Sequence, residues 1–232
     1  REIGVPGVKI PQLNFHMPFA YQCNLYKYDI PFGIIERAPV NMDLPGNSWA
    51  LAVPENKDGR GLRIVTNTKY GFRGFDNSLS LTLIRSSYDP DPYPDNGIHR
   101  FRFAVELANA ADHAALINQA FDYNHPIGFI SGIKQEGELP LEGSFLSLES
   151  GSVAISAVKV PEGNPGRRMI IRVYETSGCP TKAVFKLASP VSKAWYVDLN
   201  ENHAGSAGVV VDGSLVKADV MANSVASICV EF

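Results

Sequence analysis

LSLTLIRSSYDPDPYPDNGIHRFRFAVEL, from Leu79 to Leu107, carries two strand signatures around a proline-rich loop, and its reading decides the fold. In HRFRFAVEL, Phe101, Phe103, Val105 and Leu107 fall on one face and Arg100, Arg102 and Glu106 on the other. A period of two is what a pleated strand with one apolar and one polar face requires, so this is a half-buried antiparallel strand. LSLTLIR repeats the pattern. Leu79, Leu81 and Leu83 share a face, and the same register carries Arg85 onto that face at the strand's end. Between the two, the prolines of DPDPYPDNG (Asp89 to Gly97) hold the chain extended and semi-rigid.

The same reading extends outward. Short apolar runs recur at WALAV, GLRIV, VAISAVKV, MIIRVYE, AVFKL, AWYVDL and SICVEF, punctuated by 20 Gly and 16 Pro, which is the pattern of an all-β chain. VVVDGSLV places Asp212-Gly213 between two apolar stretches, a short hairpin with a type I′ turn. One segment reads otherwise. NAADHAALINQAF (Asn109 to Phe121) lacks Gly and Pro, is rich in Ala, and spaces Ala111, Ala115, Ile117 and Phe121 at helical intervals. Beyond it, NHPIGFISGIKQEGELPLEG reads as a connection, which puts a boundary near Gly137 and two β-domains at 1–137 and 138–232, with one short helix between them.

Composition bounds the function. With 232 residues, 45% hydrophobic and 19% charged, the chain is long enough for a real core and unlike a disordered segment. Twenty-one basic against 24 acidic residues, a net charge of −3, provide no basic field for nucleic acid or an anionic membrane. No apolar run approaches the roughly 18 residues of a membrane span. Cys23, Cys179 and Cys229 are odd in number and widely spaced, which reads as reduced thiols in a cytoplasmic protein. The start at Arg1 within REIGVPGVKIPQLNF leads us to expect a piece of a longer protein.

Motifs for chemistry are scarce. His16, His99, His113, His125 and His203 lack partners at HxH, HxD or HExxH spacing, and no GxSxG, GxxxxGK or GxGxxG is present. Gly71 and Gly74 in GFRGF read as glycines beside a turn. Asp89, Asp91 and Asp95 raise calcium or a carboxylate pair, but the prolines among them suit a rigid polar loop better than a calcium loop. Aromatic side chains can stack on sugar rings. Trp195, alternating with Val197 and Leu199, reads as core, while Tyr88 and Tyr93 beside the loop read as surface.

At this point the residues resemble a known family. Lys69-Tyr70-Gly71, Ile84-Arg85-Ser86, Asp89-Pro90-Asp91-Pro92 and Gly97-Ile98-His99 leading to Phe101, Phe103 and Ala104 are similar, in order, to the C-terminal region of glycoside hydrolase family 38, the α-mannosidases. Upstream, DIPFGIIERAP (Asp29 to Pro39) resembles the family's strand before its W-x-x-L run. Downstream, SAVKVPEGNPGRRMIIRVYETSG (Ser156 to Gly178) resembles its last β-domain.

The resemblance implies the closing part of a large mutarotase-like β-sandwich followed by a smaller terminal β-sandwich. It also implies a zinc-dependent, retaining parent that hydrolyses α-mannosides. In the family the zinc, its His and Asp ligands, an Asp nucleophile and an acid/base carboxyl belong to an N-terminal α/β domain that nothing here matches. No catalytic or metal residue is therefore assigned, and the chain is expected to be inactive alone. It would pack on the parent's catalytic domain and shape its cleft toward mannosyl glycans. Arg85 matches an arginine that lies near the substrate cleft in some members and is the one substrate-binding candidate; its alternative is a salt bridge to Asp89 or Asp91. Glu36 with Arg37, and Arg172 with Glu175, are expected to hold strands together rather than to touch sugar. The contrasting reading of the whole chain is a non-catalytic carbohydrate-binding or interaction module.

Overall fold

The computed structural model describes residues 11–56, 59–85, 97–132, 136–138, 140–163 and 166–232. Almost all regular structure in them is antiparallel strand, and the chain divides into two compact units, Arg1–Ile127 and Gly128–Phe232. The joint at Ile127/Gly128 lies ten residues before the position read from composition at Gly137.

The first unit runs β1 (Gln12–Pro18), β2 (Leu25–Ile30), β3 (Gly33–Arg37), β4 (Leu44–Pro45), β5 (Trp49–Val53), β6 (Arg60–Thr66), β7 (Gly71–Phe75), β8 (Ser78–Arg85), β9 (Phe103–Asn109) and α1 (His113–Asn124). One sheet has the order β1-β8-β7-β4 and the other β3-β2-β5-β6-β9. Their facing sides share a core in which Tyr26, Tyr28, Ala52 and Ile64 of the five-stranded sheet meet Phe72, Leu79 and Leu81 of the other. Each large apolar side chain buried there contributes roughly 1.5–3 kcal/mol. Gly74 lies in β7 just before its hairpin turn, and its missing side chain also makes room for Tyr26, whose ring a Cβ would meet at 2.4 Å.

The opposite side of the five-stranded sheet is also buried. Trp49, Leu51, Val53 and Val65 pack there against Leu116 and Ala120 of α1, which makes a third layer. This is why WALAV is buried at every position rather than at alternate ones. It also alters the reading of β9. Phe103 and Val105 face the inter-sheet core as their alternation requires, but Ala104 faces the helix layer, and Leu107 at the strand's end is largely exposed. The helix starts four residues later than Asn109, because β9 claims the chain through Asn109. Asp112 then caps the helix, its carboxylate accepting the Ala115 N–H at 3.0 Å. It packs on the first unit and precedes the joint.

The second unit runs β10 (Leu146–Ser150), β11 (Val153–Lys159), β12 (Arg168–Glu175), β13 (Thr181–Leu187), β14 (Lys193–Val197), β15 (His203–Gly205), β16 (Val209–Asp212), β17 (Leu215–Val220) and β18 (Val225–Glu231). Sheets of order β10-β13-β17-β16 and β11-β12-β18-β14-β15 enclose Met169, Ile171, Val173, Phe185, Val216, Ile228 and Val230. Two turns depart from the sequence reading. Asp212 pairs with Leu215, so the loop is Gly213-Ser214 with only Gly213 at positive φ (63°), the type II′ pattern. The type I′ loop is Asp76-Asn77, both at positive φ (51° and 46°), between Phe75 and Ser78.

Candidate functional site

Arg85 ends β8 opposite Gln12 of β1, exposed, where the apolar face of the strand runs out into solvent. It lines a cleft of about 410 Å³ together with Asp43, Lys69, Tyr70 and Thr82. The β-edge geometry explains the gathering: β4 pairs with β7 through Leu44 and Phe72, which brings Asp43 beside the end of β8 and the turn at Lys69-Tyr70. Tyr70 is 60% exposed, and the Lys69 ammonium sits over the Phe101 ring at 5.1 Å.

The cleft's wall is electrostatically committed. Asp43 accepts from Gln12 Nε2 at 2.6 Å and from Arg73 Nε at 2.9 Å, and Arg73 also donates to Asn41 at 3.1 Å. Partial burial pushes the Asp43 carboxyl up, but these bonds outweigh it and hold it below the usual aspartate range. A carboxylate whose ionised form is favoured by these bonds is a poor proton donor. Retaining glycosidase chemistry needs two carboxyls about 5–5.5 Å apart, and Asp43 is the one carboxylate among the described lining residues. The arrangement suits binding and positioning by the donors of Lys69, Tyr70 and Arg85.

The other residues singled out by sequence fall as follows. Asp89, Asp91, Asp95, Tyr88 and Tyr93, including both salt-bridge partners suggested for Arg85, lie outside the described residues. Glu36 pairs with Lys27 at 3.5 Å, and Arg37 covers the Tyr28 ring at 4.5 Å and donates to the Pro45 carbonyl at 2.6 Å. Arg172 donates to Ser227 Oγ at 2.9 Å, and Glu175 accepts from the N–H groups of Gly178 and Asn223. All four brace strands and turns. Among the described residues no three of His, Cys, Asp or Glu converge as a metal site. The cysteines are free, Cys23 and Cys229 buried and Cys179 exposed. Among the described residues no helix is long and apolar enough to cross a membrane.

Trp195 corrects the sequence reading. It lies on the outer side of the five-stranded sheet of the second unit, half-buried, with Ile170, Val197 and Cys229, and it lines a second cleft. Its alternation with Val197 is real, but Leu199 lies beyond β14 and is exposed, and the shared face is the one turned away from the inter-sheet core. Asp43 and this cleft were missed by sequence reasoning. The polar run Asn200-Glu201-Asn202-His203 directly after AWYVDL is the signal that could have pointed to the second.

Two antiparallel β-sandwiches following one another along the chain, with clefts that offer donors and aromatic surface, define an all-β class of protein region. The family is specific. The model of the glycosyl hydrolases family 38 C-terminal domain matches residues 8–93, and that of the family's C-terminal beta sandwich domain matches residues 152–223, together more than half of the chain. The chain belongs to glycosyl hydrolase family 38, as part of its C-terminal region. Alpha-mannosidase 2C1 of Homo sapiens is 28% identical over 201 residues, covering 82% of this chain and 19% of that protein. Alpha-mannosidase G of Dictyostelium discoideum is 24% identical over 165 residues, covering 66% and 15%. An alpha-mannosidase from Enterococcus faecalis V583 shares the fold with a TM-score of 0.74 at 14% identity, over 95% of this chain and 26% of that one. The chain thus spans about a fifth of the length of the curated relatives it matches.

Proposed function

We propose that this chain is the C-terminal β-region of a retaining, zinc-dependent α-mannosidase, and that it supports and shapes the cleft of a catalytic domain lying elsewhere in the parent. The observation that carries this reading is the ordered match of two C-terminal family models along one chain whose named relatives are α-mannosidases. In this reading the zinc, the nucleophile and the acid/base carboxyl belong to that catalytic domain, and the chain alone hydrolyses nothing. Arg85 is the substrate-binding candidate in this reading: an exposed guanidinium whose forked donors would reach either a mannosyl hydroxyl or a carboxylate of the catalytic domain.

The exposed apolar side chains Ile127 (97%), Phe129 (88%) and Ile130 (95%) support a packing role, since side chains of this kind in contiguous sequence mark an interaction surface. The test is reconstitution. This chain and the remainder of its parent, produced separately and mixed, are expected to form a complex that cleaves an aryl α-mannoside, while the chain alone shows no turnover. Arg85→Ala in the same mixture should leave assembly intact and lower kcat/KM about tenfold, the cost of one charge-assisted hydrogen bond. Turnover by the chain alone, or full activity of the remainder without it, overturns the reading.

A further inference from the structure

The second cleft, about 360 Å³, is built on a face that an antiparallel sandwich normally leaves polar and wet. Its floor is instead apolar and closed: Ile170 is 1% exposed and Cys229 3%, with Val197 beside them and the half-buried indole of Trp195 at the side. The rim is polar, carrying Arg168, Asn200 and His203. We propose that this cleft binds a neutral saccharide of mono- or disaccharide size.

The lining chooses that class. A pyranose presents an apolar C–H face and a belt of hydroxyls, which match an indole beside an aliphatic floor and a rim of amide, imidazole and guanidinium. The charged rim groups are already paired, so the cleft suits a neutral ligand better than an ionic one. Arg168 Nε donates to Glu231 at 2.7 Å, and the Glu201 carboxylate meets Lys159 Nζ at 2.6 Å. A guanidinium carries five N–H donors, more than this pairing consumes. The volume lies at the lower end of the roughly 300–1,000 Å³ of ligand pockets, which suits one or two sugar rings.

The rim is also fixed in advance. Asp198 accepts the N–H groups of Asn200 and Asn202 at 2.8 and 2.9 Å and the side-chain amide of Asn202 at 3.1 Å. Glu201 sits in the left-handed region at φ 66°, although Asn200 and Asn202 beside it tolerate that region better. In that conformation its carboxylate reaches across to the Glu162 N–H at 2.7 Å and ties the β14–β15 loop to the β11–β12 loop. The Arg168 guanidinium lies over the indole at 5.4 Å from its centre, the His203 ring is stacked with it at 6.2 Å, and both hold its orientation. A site whose β14–β15 loop and aromatic are already held in place loses less entropy on binding.

The chain has two tryptophans, and Trp49 is fully buried in the first unit, so a ligand-dependent change in tryptophan emission reports Trp195. Titration of the 232-residue chain with methyl α-D-mannopyranoside, methyl α-D-glucopyranoside and their α-linked disaccharides is expected to saturate for at least one of them, with a dissociation constant of about 1 mM. Asn200→Ala and His203→Ala, at exposed rim positions that leave the fold intact, should each weaken that binding about tenfold. Calorimetry on Trp195→Ala should show no heat of binding with the same sugar. No saturation with any of these sugars overturns the proposal, as does saturation that both rim variants leave unchanged. Saturation by inorganic phosphate with none by the sugars also overturns it. None of these outcomes bears on the first unit's cleft or on reconstituted α-mannosidase activity.

Discussion

At the scale of single residues, buried polar groups earn their place through complete sets of partners. Glu175 is almost wholly buried at the end of β12 and accepts from Ser177 Oγ at 2.5 Å, from the Ser177 N–H, and from the Gly178 and Asn223 N–H groups at 2.8 and 3.0 Å. Burial raises its pKa, but these four bonds outweigh it and hold the carboxyl below its ordinary 4.5. A depressed folded-state pKa contributes stability that is present above pH 4.5 and is lost as the pH falls through the folded value. Thermal unfolding between pH 7 and pH 3 should therefore show an acid-limb loss that Glu175→Gln flattens while lowering stability at pH 7. An unchanged acid limb in the variant would refute the assignment. RVYE in the sequence foretold a bracing role for this residue, but the distant N–H group of Asn223 became its partner only through the fold.

Among the elements, α1 is tied to the sheet by a buried side chain beneath it. Arg63 of β6 is fully buried; its Nε donates to Glu106 at 2.6 Å, its Nη1 to the Leu116 carbonyl at 2.6 Å and its Nη2 to Gln119 at 3.1 Å, while the guanidinium lies 5.7 Å from the centre of the Trp49 ring. Sheet and helix are thereby tied beneath the middle of α1, as they are at its end by Asn124 Nδ2 donating to the Thr66 carbonyl at 3.2 Å. Arg63→Ala leaves Glu106 without its partner and opens a void under the helix, so urea unfolding should show a loss of about 3 kcal/mol. Arg63→Met, which retains a stem against Trp49, should cost less. Equal losses in the two variants would show that the guanidinium alone matters. Helix and strands were themselves legible, the strands from alternation and the helix from its Ala-rich run. Their ends were not, because Asp112 competes with β9 for the same residues and only the capping bond decides. The buried Arg63 was equally hidden: in GLRIV it reads as the polar member of an alternating strand, and a third layer makes it interior.

For the whole molecule, an apolar run is left uncovered. Ile127, Phe129 and Ile130 should make the isolated chain bind an apolar fluorescent dye, and replacing all three by Ser should lower that binding and weaken reconstitution with the rest of the parent without changing the chain's thermal midpoint. A fall in thermal midpoint would instead place these side chains in the chain's own core. The sequence by itself determined the fold class, the family and the strand character of Arg85's surroundings, because alternation and ordered motifs are local properties that survive without a structure. Tertiary structure alone decided which side of each strand faces which layer. The same two-residue period put Phe103 into the inter-sheet core, Leu51 under a helix and Trp195 on an outer face with a cleft. Alternation states that two sides differ, and only the packing of sheets, helix and loops says what covers each.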